Sequence, residues 1–199
     1  MFGKIIGTGS YVPKEIVTNK DLAQYLDTDD TWIRERTGVK SRHISGDKET
    51  TADMAVKAAE KALENSGLLP DEIDLIIVSS VSSNLVLPST ACFVQKAINA
   101  KNAFCFDINV ACTGFITAYN ISQTFINTGL INTALIIGAE SLSKITDWSD
   151  RKTCILFGDG AGAVVIKKDE NAMFETVMFS NGKNGDALTM ENPFALRKK

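Results

Sequence analysis

The chain has 199 residues, of which 44% are hydrophobic and 23% are charged, with a formal net charge of −3. This composition is typical of a soluble globular domain with a substantial core, and the slightly acidic balance excludes the basic face that nucleic acid requires. The apolar runs are too short to cross a bilayer, and the N-terminus lacks the regions of a secretory signal.

The thiols and the imidazole of the chain set limits on its chemistry. The four cysteines, Cys92, Cys105, Cys112 and Cys154, show no CxxC spacing, and there is one histidine. Neither a metal site nor a disulfide framework is favoured by this pattern. We therefore expect a reduced, cytoplasmic protein with no metal and no resident cofactor.

The N-terminal third begins with a short strand at Ile5 and Ile6 that runs into a turn-rich loop, GTGSYVP. Residues 18–47 are polar and charged, with a small helix over Asn19–Tyr25. Thr50 and Asp53 then resemble a capping box at the start of a helix, which Gly67 and Pro70 end. Its apolar stripe has helical spacing and comprises Ala52, Ala55, Val56, Ala59, Ala62 and Leu63.

From residue 74 onward the pattern alternates between strands and helices. Strands are predicted over 74–80, 103–108 and 133–141, and helices over 88–99 and from Thr113 to Gly129. Residues 154–168 predict a strand, a glycine turn and a second strand, and the last twenty residues predict a loop. Alternating elements of this kind predict an α/β domain, spanning 1–199, with a parallel sheet covered by helices on both faces.

The stretch DINVACTGF, residues 107–115, places Cys112 where a strand ends and a helix begins. A helix N-terminus stabilises negative charge, which lowers the pKa of a thiol and makes it a nucleophile. Gly114 leaves space beside the sulfur. The competing interpretation, a small buried residue, is the more common one for a free cysteine, and it is the expectation for Cys92, Cys105 and Cys154.

Two glycine-rich stretches look like phosphate-binding loops and are better explained as turns. GDGAGA, residues 158–163, is followed by VVIKK, whose β-branched residues predict a strand. A phosphate loop needs a helix start after the glycines. GTG at 7–9 fails in the same way, because Pro13 follows. We expect no dinucleotide site at either stretch.

The segment DDTWIRERTG carries Trp32, Arg34 and Arg36. Arginine stacks on aromatic faces and binds phosphate in a bidentate fashion, so this segment could hold a nucleotide. A solvated helix with Trp32 packed into the core explains the pattern equally well. Arg151, with Asp147 and Asp150, is typical of a solvated loop, and His43 is expected to be structural.

Three motifs, TDDTWIRERTGVKSRHI, DINVACTGF and FGDGAGAVVI, together resemble the β-ketoacyl-acyl carrier protein synthase III family. The resemblance extends to about Asp186. It implies that Cys112 is the acyl-accepting nucleophile and that Trp32 and Arg151 sandwich the adenine of coenzyme A. It also implies that Thr28 and Arg36 belong to the coenzyme site, and that Leu87 reaches across a dimer interface to the partner's acyl pocket.

The fold implied by the resemblance is one half of a thiolase-like fold, a mixed, mostly parallel five-stranded sheet with helices on both faces. The implied reaction condenses an acyl-CoA with malonyl-acyl carrier protein through an acyl-cysteine. In the family the catalytic histidine and asparagine come from the second half. We therefore expect an incomplete N-terminal half, as a fragment, a truncated gene product or a subunit of a split enzyme.

The implied partners are acyl-CoA, malonyl-acyl carrier protein, and either a second copy or a missing C-terminal half, with no nucleic acid and no membrane. Two alternatives remain. One is a non-catalytic half-domain that assembles with a partner. The other is a different thiolase-fold acyltransferase, such as a hydroxymethylglutaryl-CoA synthase, although the WIRERTG segment argues against it.

Overall fold

The computed structural model describes residues 1–190. The strands are β1 (Phe2–Tyr11), β2 (Glu15–Thr18), β3 (Ser41–Ile44), β4 (Leu75–Ser79), β5 (Phe104–Ile108), β6 (Thr133–Ser141) and β7 (Asp159–Asp169). The α-helices are α1 (Asn19–Leu22), α2 (Asp30–Thr37), α3 (Thr51–Ser66), α4 (Thr90–Ile98) and α5 (Gly114–Asn127). Within this part of the chain, no helix is long and apolar enough to cross a membrane.

A five-stranded mixed sheet forms the centre, in the order β1-β7-β6-β4-β5. β4 pairs in parallel with β5 and β6, whereas β7 pairs antiparallel with both β1 and β6. Four strands therefore point in one direction and β7 alone opposes them. The expectation of a mixed, mostly parallel five-stranded sheet is confirmed.

Helices cover both faces of this sheet because the central strands carry runs of consecutive apolar residues, at 75–78 in β4 and at 134–137 in β6. On one face, α3 and α4 pack against Ile76 and Val78 of β4 and against Leu135 and Ile137 of β6. On the other face, α5 packs against Leu75 and Ile77 and against the alternate residues of β6. Successive side chains of a strand point to opposite faces, so a continuous apolar run supplies two cores.

The first strand is longer than the sequence predicts. β1 extends to Tyr11, so the GTG stretch lies inside it rather than in a loop. An alanine Cβ at Gly7 would stand 2.7 Å from Cβ of Ser66, and one at Gly9 would stand 2.9 Å from Cβ of Lys61. Both glycines are therefore the positions where α3 lies directly on the strand. The prediction of a turn was wrong because this contact is long-range.

The stretch 154–168 also differs from its prediction. Residues 151–156 form turns rather than a strand, and β7 begins at Asp159, inside the glycine motif. Asp159 is buried, and its carboxylate accepts hydrogen bonds from the backbone N–H and the hydroxyl of both Ser45 and Ser143. The motif is thus structural, as expected, but it is a strand that ties two loops together rather than a turn.

Within the polar N-terminal segment, β2 and β3 form a separate two-stranded sheet, which the sequence did not predict. Buried Arg42 donates to Asn19 Oδ1 at 2.9 Å and to the carbonyl oxygens of Val17 and Ile155. Asn19 in turn donates to Asp30 Oδ1 at 2.9 Å. This chain of bonds fixes α2, which carries the Trp32 segment, against the body of the protein.

Candidate active site

Cys112 lies in a single 3₁₀ turn, Ala111–Thr113, between β5 and α5. It is exposed, whereas Cys92 and Cys105 are half-buried and Cys154 is buried. Ala111, directly before it, has φ of 44°, a left-handed conformation that residues with a side chain seldom adopt. The strained bend presents Cys112 at the start of the helix, where the sequence predicted it, although the strain left no signal in the sequence.

Gly114 allows α5 to begin against the end of β4. An alanine Cβ at this position would overlap Ser79 Oγ and would stand 2.9 Å from Ser79 Cβ. The sequence suggested that Gly114 leaves space beside the sulfur. In the structure, the direction in which a Cβ of residue 114 would point is occupied by Ser79. The glycine therefore sets how closely the Cys112 turn approaches the sheet.

Cys112 lines a cavity of about 690 Å³. Its walls are largely apolar, with Phe115, Leu142, Ile145 and Phe157 among them, and β6 and β7 contribute Gly138, Gly160 and Gly162. An alanine Cβ at Gly162 would meet no other atom within 4 Å. A cavity of this size and polarity can hold an apolar group next to the thiol.

Trp32, Arg36 and Arg151 come together although 115 residues separate Arg36 from Arg151 in the sequence. The guanidinium carbons of Arg36 and Arg151 lie 4.3 and 5.0 Å from the centroid of the Trp32 ring. Trp32 also packs on an apolar cluster that includes Ile33. The ring is half-buried and still faces two cations, a geometry that is compatible with both interpretations of this segment.

Arg151 is paired with the exposed Asp27. Its Nη1 donates to the carbonyl oxygen of Asp27 and forms an ion pair with the Asp27 carboxylate at 3.3 Å. The neighbouring Thr28 hydroxyl is buried and has no hydrogen-bond partner within residues 1–190. Buried hydroxyls are normally paired, so this group is available to water or a ligand.

One segment joins the cavity to this Trp–Arg cluster. Thr146, Asp147, Thr153 and Phe157 line the cavity of Cys112, and Arg151 lies between them in sequence. The hydroxyl and the backbone N–H of Ser149 donate hydrogen bonds to the Asp147 carboxylate. These bonds, of which that of the hydroxyl has the larger effect, hold the pKa of Asp147 below its usual range, so a negative charge stands at the rim of the cavity. The sequence did not identify these lining residues, because their positions follow from the sheet topology.

Two predicted residues lie elsewhere. Leu87 is 81% exposed, in the loop between β4 and α4, and it is not among the residues that line the cavity of Cys112. His43 lies on β3, and its Nδ1 is 2.6 Å from the carbonyl oxygen of Pro13. Within residues 1–190 the cavity lining includes no histidine. A structural role for His43 agrees with this contact.

The arrangement defines a class of protein: one half of a thiolase-type fold with an exposed cysteine at a helix start, facing an apolar cavity. The sequence model of the 3-oxoacyl-[acyl-carrier-protein] synthase III family matches residues 106–182 of this chain. The chain is 53% identical over 201 residues to beta-ketoacyl-[acyl-carrier-protein] synthase III of Clostridium acetobutylicum, covering 98% of this chain and 62% of that protein. It is 45% identical to the protein of the same name from Xanthomonas campestris, covering 94% and 58%.

Solved structures agree with these matches. The crystal structure of 3-oxoacyl-[acyl-carrier-protein] synthase III from Aquifex aeolicus superposes with a TM-score of 0.83 at 50% identity, over 85% of this chain and 55% of that one. The corresponding structure from Thermus thermophilus gives 0.90 at 38% identity, over 95% and 59%. The chain is homologous to the β-ketoacyl-acyl carrier protein synthase III family, and it spans about three-fifths of the length of these curated relatives.

Proposed function

We propose that this chain carries the acyl-accepting site of a 3-oxoacyl-acyl carrier protein synthase III, with Cys112 as the nucleophile. One observation carries the proposal: the exposed Cys112 opens on an apolar cavity of about 690 Å³ whose wall shares a segment with the Trp–Arg cluster. The cavity suits an acyl chain, and the cluster suits the adenine and phosphates of coenzyme A. The names of the relatives support the same reaction.

In the first stage the Cys112 thiolate attacks the carbonyl carbon of an acyl-CoA thioester. Backbone N–H groups, including that of Cys112, hold the oxyanion of the tetrahedral intermediate. Its collapse expels the thiolate of coenzyme A and leaves an acyl-cysteine. The acyl chain then occupies the apolar cavity.

Coenzyme binding requires the Trp–Arg cluster to open. A ring stacked between Trp32 and Arg151 needs about 3.5 Å on each side, or about 7 Å in total. The guanidinium carbon of Arg151 now lies 5.0 Å from the Trp32 centroid. Arg151 therefore moves outward by about 2 Å when adenine enters, and the free hydroxyl of Thr28 gains a partner.

The second stage condenses the acyl group with malonyl-acyl carrier protein and needs donors that stabilise the enolate. His43 is engaged with Pro13, and the cavity lining within residues 1–190 offers no other histidine. We therefore assign acyl transfer, the first stage, to residues 1–190. The donors for the second stage are proposed to come from a partner polypeptide, and the exposed Val86 and Leu87 fit the surface of a homodimer or such an assembly.

The experiment measures acyl transfer with radiolabelled acetyl-CoA and locates the label by mass mapping. We expect one acetyl group on Cys112, none in Cys112→Ser, and full labelling in the matched control Cys154→Ser. Label that persists in Cys112→Ser, or a chain that condenses acetyl-CoA with malonyl-acyl carrier protein unaided, would contradict the assignment.

A second arm tests the coenzyme site with two donors. Trp32→Ala should slow labelling by acetyl-CoA about tenfold, since it removes the stacking and cation–π face for adenine. It should leave labelling by an acetyl-pantetheine thioester, which has no adenine, unchanged. Equal loss with both donors would show that Trp32 supports the fold rather than the coenzyme.

A further inference from the structure

The thiols of Cys92 and Cys105 face each other, with their sulfur atoms 3.5 Å apart. Cys92 is in the first turn of α4, and Cys105 is the second residue of β5, at the edge of the sheet. Both residues are half-buried. No local pattern associates the two thiols, because the rest of α4 and a loop separate them in the sequence.

Hydrogen bonds on both sides hold the two sulfurs in this position. The Asp107 carboxylate accepts from the backbone N–H groups of Thr90 and Ala91 at 2.6 and 2.8 Å. Further along the helix, Gln95 Nε2 donates to the carbonyl oxygen of Ala103 at 2.6 Å. The start of α4 and the strand β5 are therefore fastened together around the thiol pair.

We propose that Cys92 and Cys105 form a redox-sensitive pair that a small-molecule disulfide, such as oxidised glutathione, converts into an intrachain disulfide. A disulfide requires the sulfurs to be about 2.0 Å apart, so they must approach by about 1.5 Å. Changes of the two side-chain torsions supply this approach while the flanking hydrogen bonds stay in place. The proposal is independent of the function assigned to Cys112.

The reaction begins at Cys92. Its sulfur accepts a hydrogen bond from Ser89 Oγ at 3.1 Å, and it lies in the first turn of α4. Burial and the neighbouring Cys92 thiol raise the pKa of Cys105 to about 12, which makes Cys105 the poorer initial nucleophile.

The Cys92 thiolate attacks one sulfur of oxidised glutathione and releases one glutathione thiolate. Cys105 then loses its proton to solvent, and its thiolate attacks Cys92 Sγ and displaces the second glutathione. Two protein thiols become one disulfide, and one oxidised glutathione becomes two reduced molecules. The high pKa of Cys105 makes the second step the slower one, with a rate that increases with pH.

The cross-link would join the start of α4 to the strand that leads into the Cys112 turn. It closes a loop between residues 92 and 105, which restricts the unfolded chain. A loop of this size gives about 3 kcal/mol of stabilisation. Oxidation should therefore raise the melting temperature by about 6–12 °C in a chain of this length. Reduction should restore the original value.

The test oxidises the full chain with oxidised glutathione, folded and in concentrated urea, and maps the disulfides in proteolytic digests. In the folded protein we expect a Cys92–Cys105 link. In urea the shorter loop between Cys105 and Cys112 should predominate, because shorter loops close more readily. The same link distribution in both states would overturn the proposal.

Matched variants separate the pair from the other thiols. Cys112→Ser should retain both the cross-link and the shift in melting temperature, whereas Cys92→Ser and Cys105→Ser should each lose both. The proposal would also be overturned if Cys92 and Cys105 still reacted with an alkylating reagent after oxidation. A cross-link found only between two chains would overturn it as well.

Discussion

Replacing Gly114 with alanine should displace the start of α5 and, with it, the Cys112 turn. The new Cβ would overlap Ser79 Oγ and stand 2.9 Å from Ser79 Cβ. Rotation of the serine relieves the first contact but leaves the second. Carbon atoms in contact prefer about 3.5–4.0 Å, so the helix and the strand must separate by roughly 0.6–1.1 Å.

Such overpacking typically costs about 1–3 kcal/mol of unfolding free energy. Displacing the Cys112 turn also moves the sulfur away from the start of α5, where the helix dipole stabilises the negative charge of the alkylation transition state by about 0.3–1 kcal/mol. We therefore expect the alkylation rate of Cys112 to fall about two- to fivefold. Urea denaturation measures the first quantity, and mass mapping after a brief iodoacetamide pulse measures the second.

Gly138→Ala is the matched control, because its new Cβ would lie an ordinary 3.8 Å from Phe115 Cβ in the same cavity. It should change stability little. In a Ser79→Gly background, Gly114→Ala should lower the unfolding free energy by less than about 0.5 kcal/mol, because Oγ and Cβ of Ser79 are both absent. Unchanged stability and alkylation in Gly114→Ala, or an equal cost in both backgrounds, would refute the reasoning.

Two further predictions concern acidic groups. Asp159→Asn should lower the unfolding free energy by about 2–4 kcal/mol. The backbone N–H groups of Ser45 and Ser143 bind different carboxylate oxygens of Asp159, and the single amide oxygen of asparagine cannot accept from both. Urea denaturation of this variant and of Ser45→Ala will show whether the loss exceeds that of one hydroxyl. The hydrogen bond from Asn19 lowers the pKa of Asp30, so this carboxylate stabilises the fold above the pKa of unfolded aspartate, and the contribution disappears as pH falls through the folded value. Stability measured between pH 6 and pH 2 should therefore fall more for the wild type than for Asp30→Asn, and parallel curves would contradict this.

Local signals in the sequence determined most of the elements. The capping box of Thr50 and Asp53 is present at the start of α3, as predicted. The run at 75–79 is a strand buried at every position. These features depend on residues a few positions apart, so periodicity and capping chemistry are sufficient to predict them. The motif around Cys112 likewise placed a cysteine at a helix start.

The tertiary structure alone decided what the glycines and charged residues do. Gly7 and Gly9 look like turn residues in the sequence, and Gly114 looks like a residue that leaves space beside a thiol, but each is a point where a helix contacts a strand. Asp159 binds serines that come from two different loops, and Arg151 reaches Trp32 across more than a hundred residues. Such contacts join residues distant in the chain, and they are set by sheet order and helix placement, which no local pattern encodes.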